Sequence, residues 1–204
     1  GIVDYGAGNL NSVKKALDFI QKQSLILSHS EEFKEIKKLV LPGVGSFGYA
    51  VRKIKEKGFF EPIKKWIESD QPFLGICVGM QVLFEESEEM GRHTGLAWLP
   101  GRVVRFSNEC VTKGLKIPHT GWNQIEPVAE SPLLRGLPRG AWAYFNHAYY
   151  CDASPETILA TTDYGGAFAS VVGLGHVYGV QFHPEKSQTV GLRVLRSFVE
   201  RVGA

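Results

Sequence analysis

A chain of 204 residues with 44% hydrophobic and 22% charged side chains has the composition of one ordinary globular domain, so we expect a single domain over residues 1–204. The formal net charge of +2 predicts no binding to nucleic acid or to a membrane surface. Three cysteines without a CxxC pair argue against a disulfide framework and a zinc site. We therefore predict a cytoplasmic protein without a metal.

Strand and helix signals alternate through the first half of the chain. Short apolar runs predict strands at 2–3, 25–27, 39–41 and 73–76. Amphipathic stripes predict helices at 10–20, after residue 30, at 59–67 and at 80–84. Asn9 or Asn11 is a suitable cap for the first of these helices. This order is typical of a three-layer α/β fold with a largely parallel sheet and helices on both faces.

The second half has a different pattern, in which short strands are separated by turns. The predicted strands are 103–106, 142–149, 158–162, 170–174 and 178–182. Apolar residues at helical spacing from Leu192 to Val202 predict a closing helix. We expect the strands of this half to extend the sheet by antiparallel pairing.

A cysteine lies between two glycines directly after the predicted strand 73–76. Gly75, Cys77 and Gly79 form the pattern of a sharp strand-to-helix turn, in which side chains flanking the nucleophile would clash. The free N–H groups at the start of the following helix favour a thiolate and can bind an oxyanion. The alternative is a small buried cysteine between two packing glycines. The pattern favours a nucleophile without excluding that alternative.

A nucleophilic thiol needs a base, and the base needs an orienting group. His183 and Glu185 directly follow the predicted strand 178–182. Residues two apart in an extended chain point to the same side, so we expect the imidazole and the carboxylate to be neighbours. Pro184 keeps His183 out of the helical region. The alternative is an ordinary surface histidine and glutamate in a loop.

A glycine-rich segment follows the predicted strand 39–41 and has two interpretations. Gly43, Gly45 and Gly48 form a G-x-G-x-x-G pattern, which can bind a dinucleotide phosphate at a helix start. The same loop can instead supply backbone donors for an oxyanion beside the cysteine. Its place in the second β–α unit, and the lack of a clear acidic residue at the end of the next strand, favour the oxyanion loop. We therefore predict no cofactor.

Two motifs resemble those of the class I glutamine amidotransferases. Residues 72–81 (PFLGICVGMQ) are similar to the nucleophile segment of that family, and residues 180–185 (VQFHPE) resemble its His-Glu segment. Four further segments, spread in order along nearly the whole chain, resemble those of the glutaminase subunits of imidazole glycerol phosphate synthases, which narrows the resemblance to that subfamily. These segments are 4–10, 101–106, 116–123 and 183–188.

The resemblance implies the three-layer fold and hydrolysis of L-glutamine to glutamate and ammonia. It also implies a heterodimer with a (β/α)₈-barrel cyclase. The cyclase would use the ammonia to make imidazole glycerol phosphate and an aminoimidazole carboxamide ribotide (AICAR) in histidine biosynthesis. By the same resemblance Cys77 is the nucleophile, His183 the general acid and base, and Glu185 the orienting carboxylate. The implied backbone donors lie in Gly43, Val44, Gly45 and Val78.

Further positions match residues that bind glutamine or the partner in the family. Gln81 resembles the contact to the α-amino-acid end of glutamine, and His147 and Ala148 lie in the segment that resembles the strand facing it. The chain departs from the family at Ala148, where serine is usual, and at Asn146, where an apolar residue is usual; Thr120 stands where methionine is common. The positions that resemble the partner interface are Asn9, Ser12 and Lys186.

Three other functions remain open from the sequence. A paralogous glutaminase could feed a barrel-type sugar amidotransferase, and the two departures at Asn146 and Ala148 leave room for that. A catalytically silent regulatory subunit could retain the fold. A cysteine peptidase or a dinucleotide-binding oxidoreductase could use a similar sheet.

Overall fold

The computed structural model describes residues 1–203. Its strands are β1 Ile2–Val3, β2 Ile26–Leu27, β3 Leu39–Gly43, β4 Phe73–Cys77, β5 Phe84–Ser87, β6 His93–Thr94, β7 Leu99–Arg105, β8 His119–Pro127, β9 Ala141–His147, β10 Tyr149–Ala153, β11 Ile158–Asp163, β12 Ala167–Leu174 and β13 Val177–Val180. Its α-helices are α1 Leu10–Phe19, α2 Phe47–Glu56, α3 Phe60–Glu68, α4 Val78–Gln81, α5 Asn108–Thr112 and α6 Gln188–Arg201. Short 3₁₀ turns cover Ser30–Glu35, Pro132–Leu134, Pro155–Thr157 and Pro184–Lys186.

The central sheet has nine strands in the order β2-β1-β3-β4-β13-β12-β11-β8-β9. The first five strands of this order are mutually parallel, and the remaining four are added by antiparallel pairing. Helix α1 leads from β1 outward to β2, whereas α2 and α3 lead from β3 the other way to β4. Right-handed crossovers therefore place them on opposite faces, and α6 packs beside α1. The predicted fold class is confirmed.

A second sheet, in the order β10-β7-β5-β6, was not predicted. The predicted helix at 80–84 is wrong beyond Gln81, because the chain turns after α4 and Phe84 begins β5. Val82, Leu83 and Phe84 are consecutive and fully buried, which a strand entering a core allows and a helix with one exposed face does not. The predicted strand 142–149 is also wrong in one respect. It is two strands that separate at Ala148 and join different sheets.

Most predicted elements have the expected type, with shifted ends. Asn9 caps α1, since its side-chain oxygen accepts from the Ser12 N–H. The segment after Ser30 is a 3₁₀ turn, so the predicted helix there is wrong in type. Helix α2 was missed because its residues were interpreted only as the end of a glycine loop. Its buried face of Phe47, Ala50 and Ile54 follows helical spacing.

Three neighbouring parallel strands end at the same edge of the sheet. In the β3–β4 pair Gly43 lies opposite Cys77, and in the β4–β13 pair Val180 lies opposite Ile76. The chain that follows each strand therefore begins within one small region. Because ligands bind outside the carboxyl ends of parallel strands, this edge is the expected position of a site.

Helix α4 starts in close contact with β3. A Cβ atom built on Gly79 would overlap the carbonyl oxygen of Leu41 and would lie 2.9 Å from its carbonyl carbon. Gly43 has a similar constraint, since its Cβ would lie 2.6 Å from the Gly79 nitrogen. The two glycines allow the backbone of α4 to touch β3, which is what places the start of the helix at the sheet edge.

We predict that Gly79→Ala destabilises the fold, because the methyl group forces α4 away from the Leu41 carbonyl. The expected loss of unfolding free energy is about 2 kcal/mol or more, measured by urea denaturation. Gly166→Ala is the matched control, since nothing lies within 4 Å of its Cβ position. That control should change stability by less than about 0.5 kcal/mol. Equal effects of the two substitutions would contradict the close contact.

Candidate active site

Cys77 occupies a strained turn between β4 and α4. Its backbone has φ 55° and ψ −111°, a conformation that residues with a side chain rarely adopt. Such strain costs on the order of 1–3 kcal/mol and is concentrated at functional sites. Because α4 begins at Val78, the first N–H groups of the helix, which lack partners within it, lie next to the sulfur. The predicted strand-to-helix turn is present.

His183 and Glu185 form a buried pair on the chain that follows β13. The imidazole Nδ1 lies 2.9 Å from Glu185 Oε1, and both side chains are less than 5% exposed. The pair arises differently from the prediction, because β13 ends at Val180 and residues 184–186 form a 3₁₀ turn. The turn, rather than alternation along an extended strand, brings the carboxylate back to the ring. The backbone N–H of His183 donates to the Tyr144 carbonyl at 2.9 Å, which fixes the base of the turn.

The His183 ring contacts the Cys77 sulfur on one side and Glu185 on the other. Burial lowers the pKa of His183, but the hydrogen bonds to Cys77 and Glu185 outweigh it and raise the pKa to about 10. The ring is therefore an imidazolium at neutral pH. A cation beside the sulfur is the arrangement that favours a thiolate nucleophile.

A cavity of about 100 Å³ opens at the sulfur. The structure brings together these predicted residues on its walls: Val44, Gly45, Cys77, Val78, Gln81, His147, Ala148, His183 and Lys186. Gly43 instead packs behind the wall against Val78 and Gly79, and Glu185 lies behind the His183 ring. Among residues 1–203 no group of three His, Cys, Asp or Glu side chains could bind a metal ion.

Gln81 is oriented by two hydrogen bonds of its amide nitrogen. Its Nε2 donates to the Tyr149 carbonyl at 3.0 Å and to Gln181 Oε1 at 3.1 Å. Both amide hydrogens are thereby used inside the protein. The Gln81 Oε1 has no hydrogen-bond partner among the described residues, so it is a free acceptor at the wall of the cavity.

Several site residues were missed by the sequence analysis. Glu89 lines the cavity, and its carboxylate accepts from the Phe47 N–H at the start of α2 at 2.7 Å. It lies within an acidic stretch that predicts only solvent exposure. Gln181 is fully buried, and its Nε2 lies 3.7 Å from the Cys77 sulfur. Only its position two residues before His183 could have indicated it.

One of the three residues predicted to face a partner lines the cavity. Lys186 borders the cavity, and its ammonium lies 5.6 Å from the centre of the Tyr144 ring. Asn9 is the cap of α1 described above. Ser12 lines a shallow groove beside Glu185. Their contact with a partner remains a prediction.

The sequence model of the family described as glutamine amidotransferase class-I matches residues 1–202. This chain belongs to that family. The amidotransferase is 48% identical to the imidazole glycerol phosphate synthase subunit HisH of Desulfitobacterium hafniense over 97% of its length and 92% of the relative. It is 46% identical to the subunit of the same name from Bacillus licheniformis, over 97% of this chain and 94% of the other.

Solved structures share the fold of the amidotransferase at low sequence identity. A structure described as a glutamine amidotransferase is 22% identical, with a TM-score of 0.76, and the match covers 100% of this chain and 99% of that one. A glutamine amidotransferase from Thermotoga maritima is 17% identical, with a TM-score of 0.70, over 98% and 96% of the two chains. These likenesses support the fold alone.

We predict that Glu185→Gln lowers the pKa of His183 and reduces stability in a pH-dependent way. Since the folded-state pKa of about 10 exceeds the ordinary 6.5, the protonated ring contributes stability that is complete below pH 6.5 and is lost as the pH rises through about 10. The free energy of unfolding of the wild type should therefore exceed that of the variant most below pH 6.5, and this difference should shrink as the pH rises through about 10. Urea denaturation across this range, with the His183 pKa followed by NMR, measures both. A gap that widens with pH would contradict the pairing.

Proposed function

We propose that the amidotransferase hydrolyses L-glutamine to glutamate and ammonia as the glutaminase subunit of an imidazole glycerol phosphate synthase. The observation that carries the proposal is the buried contact of Cys77, His183 and Glu185 at the wall of a cavity. The identity of 48% to a curated subunit of that synthase supports the choice of reaction.

The cavity has acceptors suited to the amino-acid end of glutamine. Gln81 offers a free Oε1 and Glu89 a carboxylate, and both can accept from an α-ammonium group. With that end bound there, the γ-carboxamide extends toward the Cys77 sulfur. Ala148 lacks a hydroxyl, so only its backbone can contact the substrate.

The first half of the reaction forms a thioester. The Cys77 sulfur attacks the carbonyl carbon of the γ-carboxamide, and the C=O electrons move to the oxygen. The N–H groups of Val78 and of the loop at Val44 stabilise that oxyanion, a contribution worth about 3 kcal/mol per donor. His183 then gives its proton to the nitrogen as the C–N bond breaks, which releases ammonia. Glu185 stabilises the imidazolium before the transfer and fixes the ring orientation.

The second half of the reaction regenerates the enzyme. His183, now neutral, takes a proton from water as the water attacks the thioester. The same oxyanion donors stabilise the second tetrahedral intermediate. Its collapse breaks the C–S bond, frees glutamate and returns the Cys77 thiolate paired with the His183 imidazolium. No cofactor takes part in these steps.

The ammonia is passed to a (β/α)₈-barrel cyclase subunit in a heterodimer. Lys186 supports this arrangement because it lines the cavity in which the ammonia would be released. Asn9 and Ser12, at the start of α1, would extend the contact. The cyclase would use the ammonia to form imidazole glycerol phosphate and the aminoimidazole carboxamide ribotide.

We predict that Cys77→Ser abolishes glutamine-dependent synthesis, because a serine hydroxyl is a far poorer nucleophile with this base. The assay measures glutamate release and imidazole glycerol phosphate formation with a cyclase subunit and its ribulosyl nucleotide. Cys110→Ser is the matched control, since this cysteine is buried outside the cavity, and it should retain activity. Added ammonia should restore synthesis with Cys77→Ser.

Three outcomes would contradict the proposal in different ways. Glutamate release by Cys77→Ser at the wild-type rate would show that Cys77 is not the nucleophile. Glutamine hydrolysis without any transfer to the cyclase would instead support the paralogous sugar amidotransferase. Absence of hydrolysis in the wild-type complex would support a regulatory subunit.

A further inference from the structure

Gln181 bridges the nucleophile and a wall of the cavity. It is fully buried directly after β13, its Nε2 lies 3.7 Å from the Cys77 sulfur, and its Oε1 accepts from Gln81 Nε2 at 3.1 Å. The two ends of an amide differ, since one donates and the other accepts. With the oxygen toward Gln81, the N–H points at the sulfur. The opposite orientation would bring two amide nitrogens together and leave the sulfur facing an oxygen.

The orientation of these amides is set by an acceptor that cannot change its role. The Tyr149 carbonyl oxygen accepts from Gln81 Nε2 at 3.0 Å and from His147 Nδ1 at 2.8 Å. A backbone carbonyl never donates, so Gln81 must present its nitrogen to Tyr149. Its second amide hydrogen is then directed to Gln181. The Tyr149 carbonyl therefore fixes the orientation of the Gln81 amide, which in turn fixes the orientation of the Gln181 amide beside the sulfur.

Two buried histidines fix the other side of the Tyr149 carbonyl. Since His147 Nδ1 donates to Tyr149, its Nε2 accepts from His119 Nδ1 at 3.0 Å. His119 Nε2 in turn accepts from Asn123 Nδ2 at 3.3 Å. Both rings are neutral in this arrangement. Burial lowers the pKa of His119 to about 4 and of His147 to about 3, so both rings stay neutral at ordinary pH.

We propose that Gln181 is a second hydrogen-bond donor to the Cys77 sulfur, and that the His119–His147 pair positions it through Tyr149 and Gln81. A thiolate is a stronger acceptor than a thiol, so a donor aimed at the sulfur favours the charged nucleophile. Gln181 contacts the reacting atom and is a catalytic residue, whereas His119 and His147 are positioning residues. The inference rests on the proposed function, because it takes Cys77 as the nucleophile.

Two other titratable groups interact with Cys77, but neither can stabilise a thiolate there as Gln181 and His183 can. Tyr5 and Cys151 are close enough to the sulfur to interact with it electrostatically. Burial raises the pKa of both, so each is neutral at ordinary pH. His183 contacts the sulfur and has Glu185 as its own partner, and Lys186 and Glu89 line the same cavity.

The test follows the alkylation of Cys77 by iodoacetamide as a function of pH, in the full chain, by mass spectrometry of the peptide that contains it. Gln181→Met retains the shape of the side chain and removes the donor. We expect the pH of half-maximal rate to rise by about one unit, which lowers the rate roughly tenfold at any pH well below that midpoint. The plateau rate at high pH should not fall. An unchanged half-rate pH would overturn the role of Gln181.

A second variant and a wild-type measurement complete this test. Gln181→Asn keeps an amide that is too short to reach the sulfur, and it should shift the half-rate pH in the same direction if Gln181→Met does not fold. Wild type is assayed in parallel for glutamine protection of Cys77 and for glutamate release with the cyclase. If wild type shows neither, the proposed function fails. If it shows both and the variants alkylate like wild type, only the role of Gln181 fails.

The positioning role is tested at His119, which lies outside the cavity. His119→Phe keeps the stacking on Phe145 and Tyr164 but loses the donor to His147. His119→Asn keeps a donor near the Nδ1 position but loses the stacking. We expect His119→Phe to be the more stable variant and to raise the half-rate pH. We expect His119→Asn to be less stable, with a half-rate pH near that of wild type. The reverse ranking of the half-rate pH would overturn the positioning role.

Discussion

The strained backbone of Cys77 is the constraint on which the site depends. A φ of 55° with a ψ of −111° persists only because both sides of the residue are fixed. On one side β4 lies between two parallel strands, and on the other α4 touches the Leu41 carbonyl through Gly79. The turn directs the sulfur away from the sheet and places the free N–H groups of α4 beside it. Without that contact neither the thiol nor the oxyanion donors would have a defined position.

The electrostatics of the site follow from the strand order. Since β13 is the neighbour of β4, the chain leaving it brings His183 to the sulfur and Glu185 to the far side of the ring. Burial alone would discharge the imidazole, yet its two partners raise its pKa to about 10. The result is a buried site that nevertheless contains a paired charge. In the proposed reaction, the leaving ammonia therefore takes its proton from a group that already contacts the Cys77 sulfur.

What the sequence predicted well was local. The turn at Cys77 needs glycines at fixed spacing, and the pairing of His183 with Glu185 needs only two residues separated by a proline, although a 3₁₀ turn rather than an extended strand produces it. The second sheet and the Gln181 contacts could not be predicted in this way. Gln81 reaches Tyr149 across 68 positions and Gln181 across 100. No periodicity or motif encodes contacts that exist only after the strands have been ordered.

The most direct test of the account is covalent labelling with a diazo ketone analogue of glutamine, which binds as the substrate does and is then attacked by the nucleophile. We predict one adduct, located on Cys77 by mass spectrometry, prevented by excess glutamine and strongly slowed in His183→Asn. Labelling of Cys110 or Cys151 instead, or labelling of Cys77 that glutamine does not prevent, would contradict a glutamine site built around that strained turn.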